Sequence, residues 1–103
     1  MVSVDNNDNI IGYFTYTIKN RALKFGIAIS FIKNSLVFGY DWYTLINDYT
    51  LNEEVDTISW RCFRDNPTKH AYYKICQIFH GRVQEKVNMI YYIIDTKATR
   101  KYI

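Results

Sequence analysis

The stretch Lys24 to Leu51, KFGIAISFIKNSLVFGYDWYTLINDYTL, places a glycine where an apolar strand gives way to an amphipathic helix. Phe25, Ile27, Ile29 and Phe31 alternate with Lys24, Gly26, Ala28 and Ser30, the period of a half-buried strand running from Lys24 to Ile32. Trp42, Leu45, Ile46 and Tyr49 then fall at i, i+3, i+4 and i+7, which predicts a helix starting near Gly39. A helix N-terminus carries unpaired backbone N–H groups and the positive end of the dipole, so a strand feeding it through a glycine makes a seat for phosphate or pyrophosphate. A glycine at that place also serves as an ordinary turn. Asp41, in the first turn of such a helix, would compete with a phosphate for the same dipole; it is equally an ordinary helix-start acid.

Other groups with chemical potential are sparse. Cys62 and Cys76 lack a C-x-x-C spacing and read as reduced, buried side chains. His70 and His80 have no ligand-like neighbours in the sequence, so no metal site is expected. Of the tyrosines, Tyr72 and Tyr73 sit on a helix whose packed face is Ala71, Ile75, Ile78 and Phe79. That geometry puts Tyr72 at the flank and Tyr73 nearly opposite.

These residues are positioned by a chain of 103 residues, the size of one domain over 1–103. Apolar residues make up 49%, enough for a core, and aromatic residues 17%, with ten tyrosines that can pack on one side and hydrogen-bond on the other. A net charge of +3, spread without a run of like charges, does not call for nucleic acid and mildly favours an anionic small ligand. No apolar run reaches the length of a membrane span, and MVSVDNND lacks the pattern of a signal peptide, so a cytoplasmic protein is expected.

In chain order, Met1 to Val4 reads as a strand end and Asp5 to Asn9 as turn chemistry. Ile10 to Lys19 is a strand, Asn20-Arg21 a tight turn, and the next strand completes a hairpin. Val55 to Phe63 is a strand, and strand, helix and strand together form a βαβ crossover with parallel neighbours. Asp65-Asn66-Pro67 opens a second helix, with Asn66 at the N-cap, and Gly81 closes it. Arg82 to Asp95 is one long strand or two with a break near Asn88, and the unbroken apolar Met89 to Ile94 suits a strand covered on both faces. Thr96 to Ile103, polar and basic, is expected to fray. The fold class is α+β, with a central mixed sheet of five to six strands and two main helices.

This order resembles the acyl-CoA-binding half of the GCN5-related N-acetyltransferases over residues 10 to 95. Asn34-Ser35-Leu36-Val37-Phe38-Gly39 occupies the spacing of that family's Arg/Gln-x-x-Gly-x-Gly/Ala pyrophosphate loop, with Val37 departing from the middle glycine. Trp60-Arg61-Cys62, Asn66-Pro67, Tyr72 and Gly81-Arg82 are similar to the pattern of small bacterial and phage members. The resemblance implies acetyl-CoA as cofactor and transfer of its acetyl group to an amine, on a protein or a small polyamine-like molecule. It implies that the pantetheine pairs with the strand edge at Ile29, Phe31 and Ile32, where two parallel strands part. The pyrophosphate would lie over Asn34, Val37, Phe38, Gly39 and Tyr40. Asn66 would add a cofactor contact, and Tyr72, with Tyr73 as the competitor, would return a proton to the departing thiolate. The reading requires that neither Phe38 nor Trp42 plug the gap between the strands.

The family also begins with a strand and two helices that close over the acceptor. Few residues precede Ile10 here, so either the acceptor site is open or a partner chain, as in a homodimer, completes it. No acidic residue falls in the hairpin strands to act as general base. The competing expectation is a non-catalytic module on the same fold, a phage-type inhibitor of a host partner.

Overall fold

Asn20 and Arg21 both take positive φ, 52° and 61°. A two-residue hairpin loop needs that backbone because its twist then matches the strands it joins. A computed structural model of the chain describes residues 2–4, 10–13, 15–26, 30–31, 35–67 and 69–102, with the backbone alone at 2–4, 10–13, 30–31 and 35–41. The turn joins β3 (Tyr16–Lys19) to β4 (Ala22–Phe25) in antiparallel register from Lys19↔Ala22 to Tyr16↔Phe25. An arginine at φ 61° is unfavourable on its own. Its side chain secures it: Nε donates to Asp56 Oδ1 at 3.2 Å and Nη2 to the Glu53 carbonyl at 2.6 Å, while its own carbonyl accepts from the Asp56 N–H at 2.7 Å.

Upstream of β3 lie β1 (Val2–Val4) and β2 (Ile10–Tyr13), and downstream of β4 lies β5 (Ser30–Phe31). β1, β2 and β5 form a three-stranded antiparallel sheet of their own. The two long strands expected over 10–19 and 24–32 are therefore each divided between two sheets. The division follows from the register. Between the pairs Tyr13↔Ser30 and Tyr16↔Phe25 the second strand carries more residues than the first, so one ladder cannot continue into the other.

The main sheet is mixed and five-stranded, in the order β3-β4-β6-β8-β7, where β6 is Thr57–Phe63, β7 Arg82–Glu85 and β8 Met89–Asp95. Helix α1 (Ser35–Leu51) carries the chain from β5 back to β6, which lies parallel to β4 as the crossover reading requires. α1 starts at Ser35, not near Gly39. The glycine is an interior residue, tolerated at a cost of about 1 kcal/mol. Asp41 consequently lies beyond the first turn, which holds no acid, and its competition with a phosphate falls away.

Helix α2 (Lys69–Ile78) buries Tyr72, Ile75 and Cys76, with Phe79 just beyond it. Its packed face is thus centred nearer Tyr72 and Cys76 than on the expected Ala71, Ile75 and Ile78, and Ile78 is exposed. The helix closes with His80 at φ 57° and the Gly81 N–H donating to the Cys76 carbonyl at 2.9 Å, a left-handed C-cap. His80, not Gly81, takes the left-handed conformation. Gly81 is needed for space: a Cβ there would lie 2.5 Å from Cys76 Sγ and 2.7 Å from the Ile93 carbonyl oxygen. Gly81→Ala is expected to cost roughly 1–3 kcal/mol of stability, read as a lower urea midpoint at unchanged slope.

β7 and β8 form a hairpin broken at 86–88, which resolves the alternative left open for Arg82 to Asp95. β8 alternates between buried and half-buried residues, so it is covered fully on one face only. Thr96–Arg100 does not fray. Asp95 caps α3 (Thr96–Arg100), its Oδ1 accepting from the Lys97 and Ala98 N–H groups at 3.1 and 3.3 Å. Thr96 Oγ1 donates to the Val55 carbonyl at 2.7 Å and Thr99 Oγ1 to the Phe79 carbonyl at 2.6 Å. Arg100 Nη1 donates to the Thr50 carbonyl at 3.2 Å and its Nε lies 3.4 Å from Glu53 Oε1.

The core lies between one face of the main sheet and the helices. Leu23, Phe25, Ile58, Trp60, Ile90, Tyr92 and Ile94 point from the strands toward Trp42 and Ile46 of α1 and toward the buried face of α2. The opposite face carries Lys24 and Arg61, both exposed, and the half-buried Ser59, Tyr91 and Ile93.

Candidate active site

β4 and β6 pair at Ala22↔Thr57, Leu23↔Ile58 and Lys24↔Ser59, and there the pairing stops. β6 runs on to Phe63, bonded on its other side to β8 as far as Phe63↔Met89. Among the described residues nothing pairs with β6 on the β4 side beyond Ser59. Among the described residues the two parallel strands thus part after three rungs, leaving a gap on the β6 edge.

On the open face the gap forms a groove of about 260 Å³ lined by Lys24, Phe25, Ser59, Trp60, Arg61, Tyr91 and Ile93. Lys24 and Arg61 bring two cations to it, and none of the lining residues is a carboxylate, so the groove offers no general base. Both cations were visible in the sequence as the polar partners of the apolar alternation, which places them on the uncovered face.

On the helix side the gap meets aromatic rings. Trp42, fully buried, lies with its centroid 5.5 Å from Phe25 and 4.8 Å from Trp60, the residues that follow the last paired rung on each strand. The rings of Trp42 and Tyr72 are 5.2 Å apart, and Trp60 stacks on Tyr92 at 5.5 Å. Against the expectation that it leave the gap clear, Trp42 fills it from the helix side, while the groove on the other face stays open. The side chain of Phe38 lies outside the described residues.

α1 begins soon after β5, and its first N–H groups lack intrahelical partners. Val37 and Phe38 belong to that first turn, whereas Gly39 and Tyr40 continue the helix. Phe31 pairs with Gly12 in β5. Ile29, Ile32 and Asn34 lie outside the described residues. Asn66 is half-buried in the turn before α2; its N–H donates to the Phe63 carbonyl at 2.9 Å and its carbonyl accepts from the Lys69 N–H at 3.2 Å. α2 proper starts at Lys69, slightly later than Pro67 suggested. Tyr72 is buried against Trp42 and not at a flank, while Tyr73 is half exposed and borders a separate groove with Arg64, Lys69 and His70.

The cysteines are buried and free. Burial pushes the Cys62 thiol up, and it raises Cys76 to about 11. Tyr92 is also raised, by burial first and then by its contact with Cys62 Sγ at 3.7 Å. Tyr49 is pushed up to about 12, chiefly by its hydrogen bond with Tyr16. A thiolate is the reactive form, so neither cysteine is a nucleophile near neutral pH. All four groups hold their protons more tightly folded than unfolded. Their contribution is full below the unfolded values and is lost as pH rises through the folded ones. Stability is expected to be flat up to about pH 9 and to fall between about pH 9 and 12, measured as urea midpoints across that range. Among the described residues no group of three His, Cys, Asp or Glu side chains could hold a metal, and no helix is long and apolar enough to cross a membrane.

No family model matches the chain, and no curated protein matches it in sequence. Solved structures do. An acetyltransferase of the GNAT family from Bacillus anthracis superposes with a TM-score of 0.68 at 13% identity, over 89% of this chain and 62% of that one. The Campylobacter jejuni N-acetyltransferase PseH gives 0.60 at 22% identity, over 86% of this chain and 62% of that one, and it has also been solved with acetyl coenzyme A. A mutant of the spermidine N-acetyltransferase SpeG from Vibrio cholerae gives 0.61 at 20% identity, over 95% and 65%. The fold is that of the GCN5-related N-acetyltransferases. The chain spans between 62% and 65% of the length of these acetyltransferases. The expected α+β architecture, its mixed sheet and its crossover helix are that fold, and α3 is a third helix beside the two expected.

Proposed function

We propose that the chain transfers an acetyl group from acetyl-CoA to an amine on a protein or a small polyamine-like acceptor. The observation that carries this is the end of the β4–β6 pairing at Lys24↔Ser59 among the described residues, on a sheet that α1 crosses with Trp42 against Phe25 and Trp60. Unpaired strand backbone suits an amide-bearing arm laid along it as an added strand, and the helix terminus suits a pyrophosphate. Ile29, Phe31 and Ile32 would border the arm, residues from Asn34 to Tyr40 the phosphates, and Asn66 the far wall. The amine nitrogen attacks the thioester carbonyl carbon, the C–S bond breaks, and the thiolate takes a proton from Tyr72. The amine's proton leaves to water. Rate comes from orientation and from N–H donors at the developing oxyanion. Such a protein works where acetyl-CoA is found, in the cytoplasm, as one domain, and a second copy could complete the acceptor side.

A second reading is favoured by Trp42. Its ring closes the gap from the helix side, as a non-catalytic binding module, such as a phage-type inhibitor of a host partner, would tolerate. One experiment separates the two. Acetyl-CoA at millimolar concentration should raise the melting temperature, and labelled acetyl-CoA should leave label on spermidine or on a candidate partner protein. Binding without label supports the module; no shift at all removes the acetyl-donor reading.

A further inference from the structure

Beside the last β4–β6 rung two buried donors are left over: Trp42 Nε1 and Trp60 Nε1 have no hydrogen-bond partner. Trp42 is fully buried and Trp60 nearly so, with their rings 4.8 Å apart. Buried indole N–H groups usually find an acceptor, and an orphan donor is destabilising. A pair of them at one place in so small a core calls for a reason. Packing supplies none, because a phenylalanine would fill much of the same space without an orphan. Their place is informative: Trp60 is the first residue of β6 past the last rung shared with β4, and it walls the open-face groove together with Phe25.

We propose that the two indole N–H groups are hydrogen-bond donors for a carbonyl oxygen of a ligand arm that enters the gap from the groove. The carbonyl class is the amide or thioester of acetyl-pantetheine, so the inference rests on the acetyl-donor reading above. It assigns a task to side chains there. A carbonyl passing between the parted strands meets Trp60 first and Trp42 behind it. Seating it turns the indoles from their closed packing, satisfies both donors, and moves Trp42 away from the gap it fills in the free protein. The Trp42 plug is then the resting state of the site, and the affinity for the arm includes relief of two unsatisfied donors. Each indole is a positioning group, holding a carbonyl oxygen still while another residue handles protons.

Trp42 and Trp60 are the only tryptophans in the sequence, so tryptophan fluorescence, excited beyond the tyrosine absorption, reports this site alone. Acetyl-CoA and 3′,5′-ADP, which has the nucleotide end without the arm, are titrated into the wild-type protein, Trp42→Phe and Trp60→Phe. Acetyl-CoA should shift the wild-type emission, whereas 3′,5′-ADP should bind by calorimetry with little change in it. Each Phe variant should bind acetyl-CoA roughly tenfold more weakly and 3′,5′-ADP as the wild type does. The 3′,5′-ADP affinity also certifies that a variant is folded, and if one variant unfolds the other and the wild-type emission still decide. Acetyl-CoA binding with unchanged emission, or equal affinity in the Phe variants, overturns the donor assignment while leaving the acetyl-donor reading in place. No binding of either compound overturns both.

Discussion

Trp42→Ala is expected to lower the unfolding free energy by about 3–5 kcal/mol. Trp42 is 0% exposed and touches Phe25, Trp60 and Tyr72, so it ties α1 to both parted strands and to α2. Removing it leaves a cavity between layers that the strand pairing holds apart and that cannot collapse. A domain of this size has roughly 5–15 kcal/mol in all, so the variant should lose at least about a fifth of it. Trp42→Phe should lose much less. It gives up part of the ring but also the buried Nε1 donor that has no partner, and relief of an orphan donor is worth about 1–3 kcal/mol. Urea denaturation of the three proteins tests this. An alanine variant within about 1 kcal/mol of wild type would mean that Trp42 is not the keystone of this core.

Tyr72→Phe is expected to slow acetyl transfer about 100-fold, the low end of what a general acid contributes. The low end applies because a thiol of pKa near 8.5 is already a fair leaving group. Affinity for acetyl-CoA should hold, since the hydroxyl acts only as the C–S bond breaks, and stability should drop by no more than about 1.5 kcal/mol. Tyr73→Phe, changed on a half-exposed side chain facing another groove, should retain full activity. Thiol release from acetyl-CoA, followed with the acceptor that takes up label, provides the rate. Equal rates for Tyr72→Phe and wild type would move the proton to water.

The hairpin, the crossover and the order of strand, helix and strand material from β6 through α2 to Asp95 were legible in the sequence, because period-two alternation and turn residues are local signals, whereas one strand or two over Arg82 to Asp95 stayed open. Asn20-Arg21 marked its turn without a glycine. Three features escaped for physical reasons. The start of α1 was set by Gly39, yet a glycine inside a helix is tolerated when neighbours pack well, and Asn34, a favoured N-cap type directly before Ser35, fits the pyrophosphate-loop spacing equally well. The division of the long strands between two sheets depends on register, which alternation does not encode. The anchoring of Thr96 to Arg100 comes from hydroxyls bonded to carbonyls distant in sequence, Val55 and Phe79, so composition alone reads the segment as solvated. At the site, the parted strands followed from the resemblance and not from any pattern. Trp42 was legible as a core residue, but its seat between Phe25 and Trp60 was not, since a helical stripe says which face is buried and not which ring meets which.

The corner at 50–56 has a mechanical consequence. Arg21 from the hairpin and Arg100 from the last helix both grip it, one at the Glu53 carbonyl and Asp56, the other at the Thr50 carbonyl and the Glu53 carboxylate. The ion pairs are exposed and individually weak, but together they clamp the far end of α1 like a fulcrum. From Thr50 to Trp42 the helix rises about 12 Å, so a tilt of a few degrees about that clamp moves the indole by a fraction of an ångström and the first turn by more. Leverage of that kind lets a rod held at one end swing without loosening the joint.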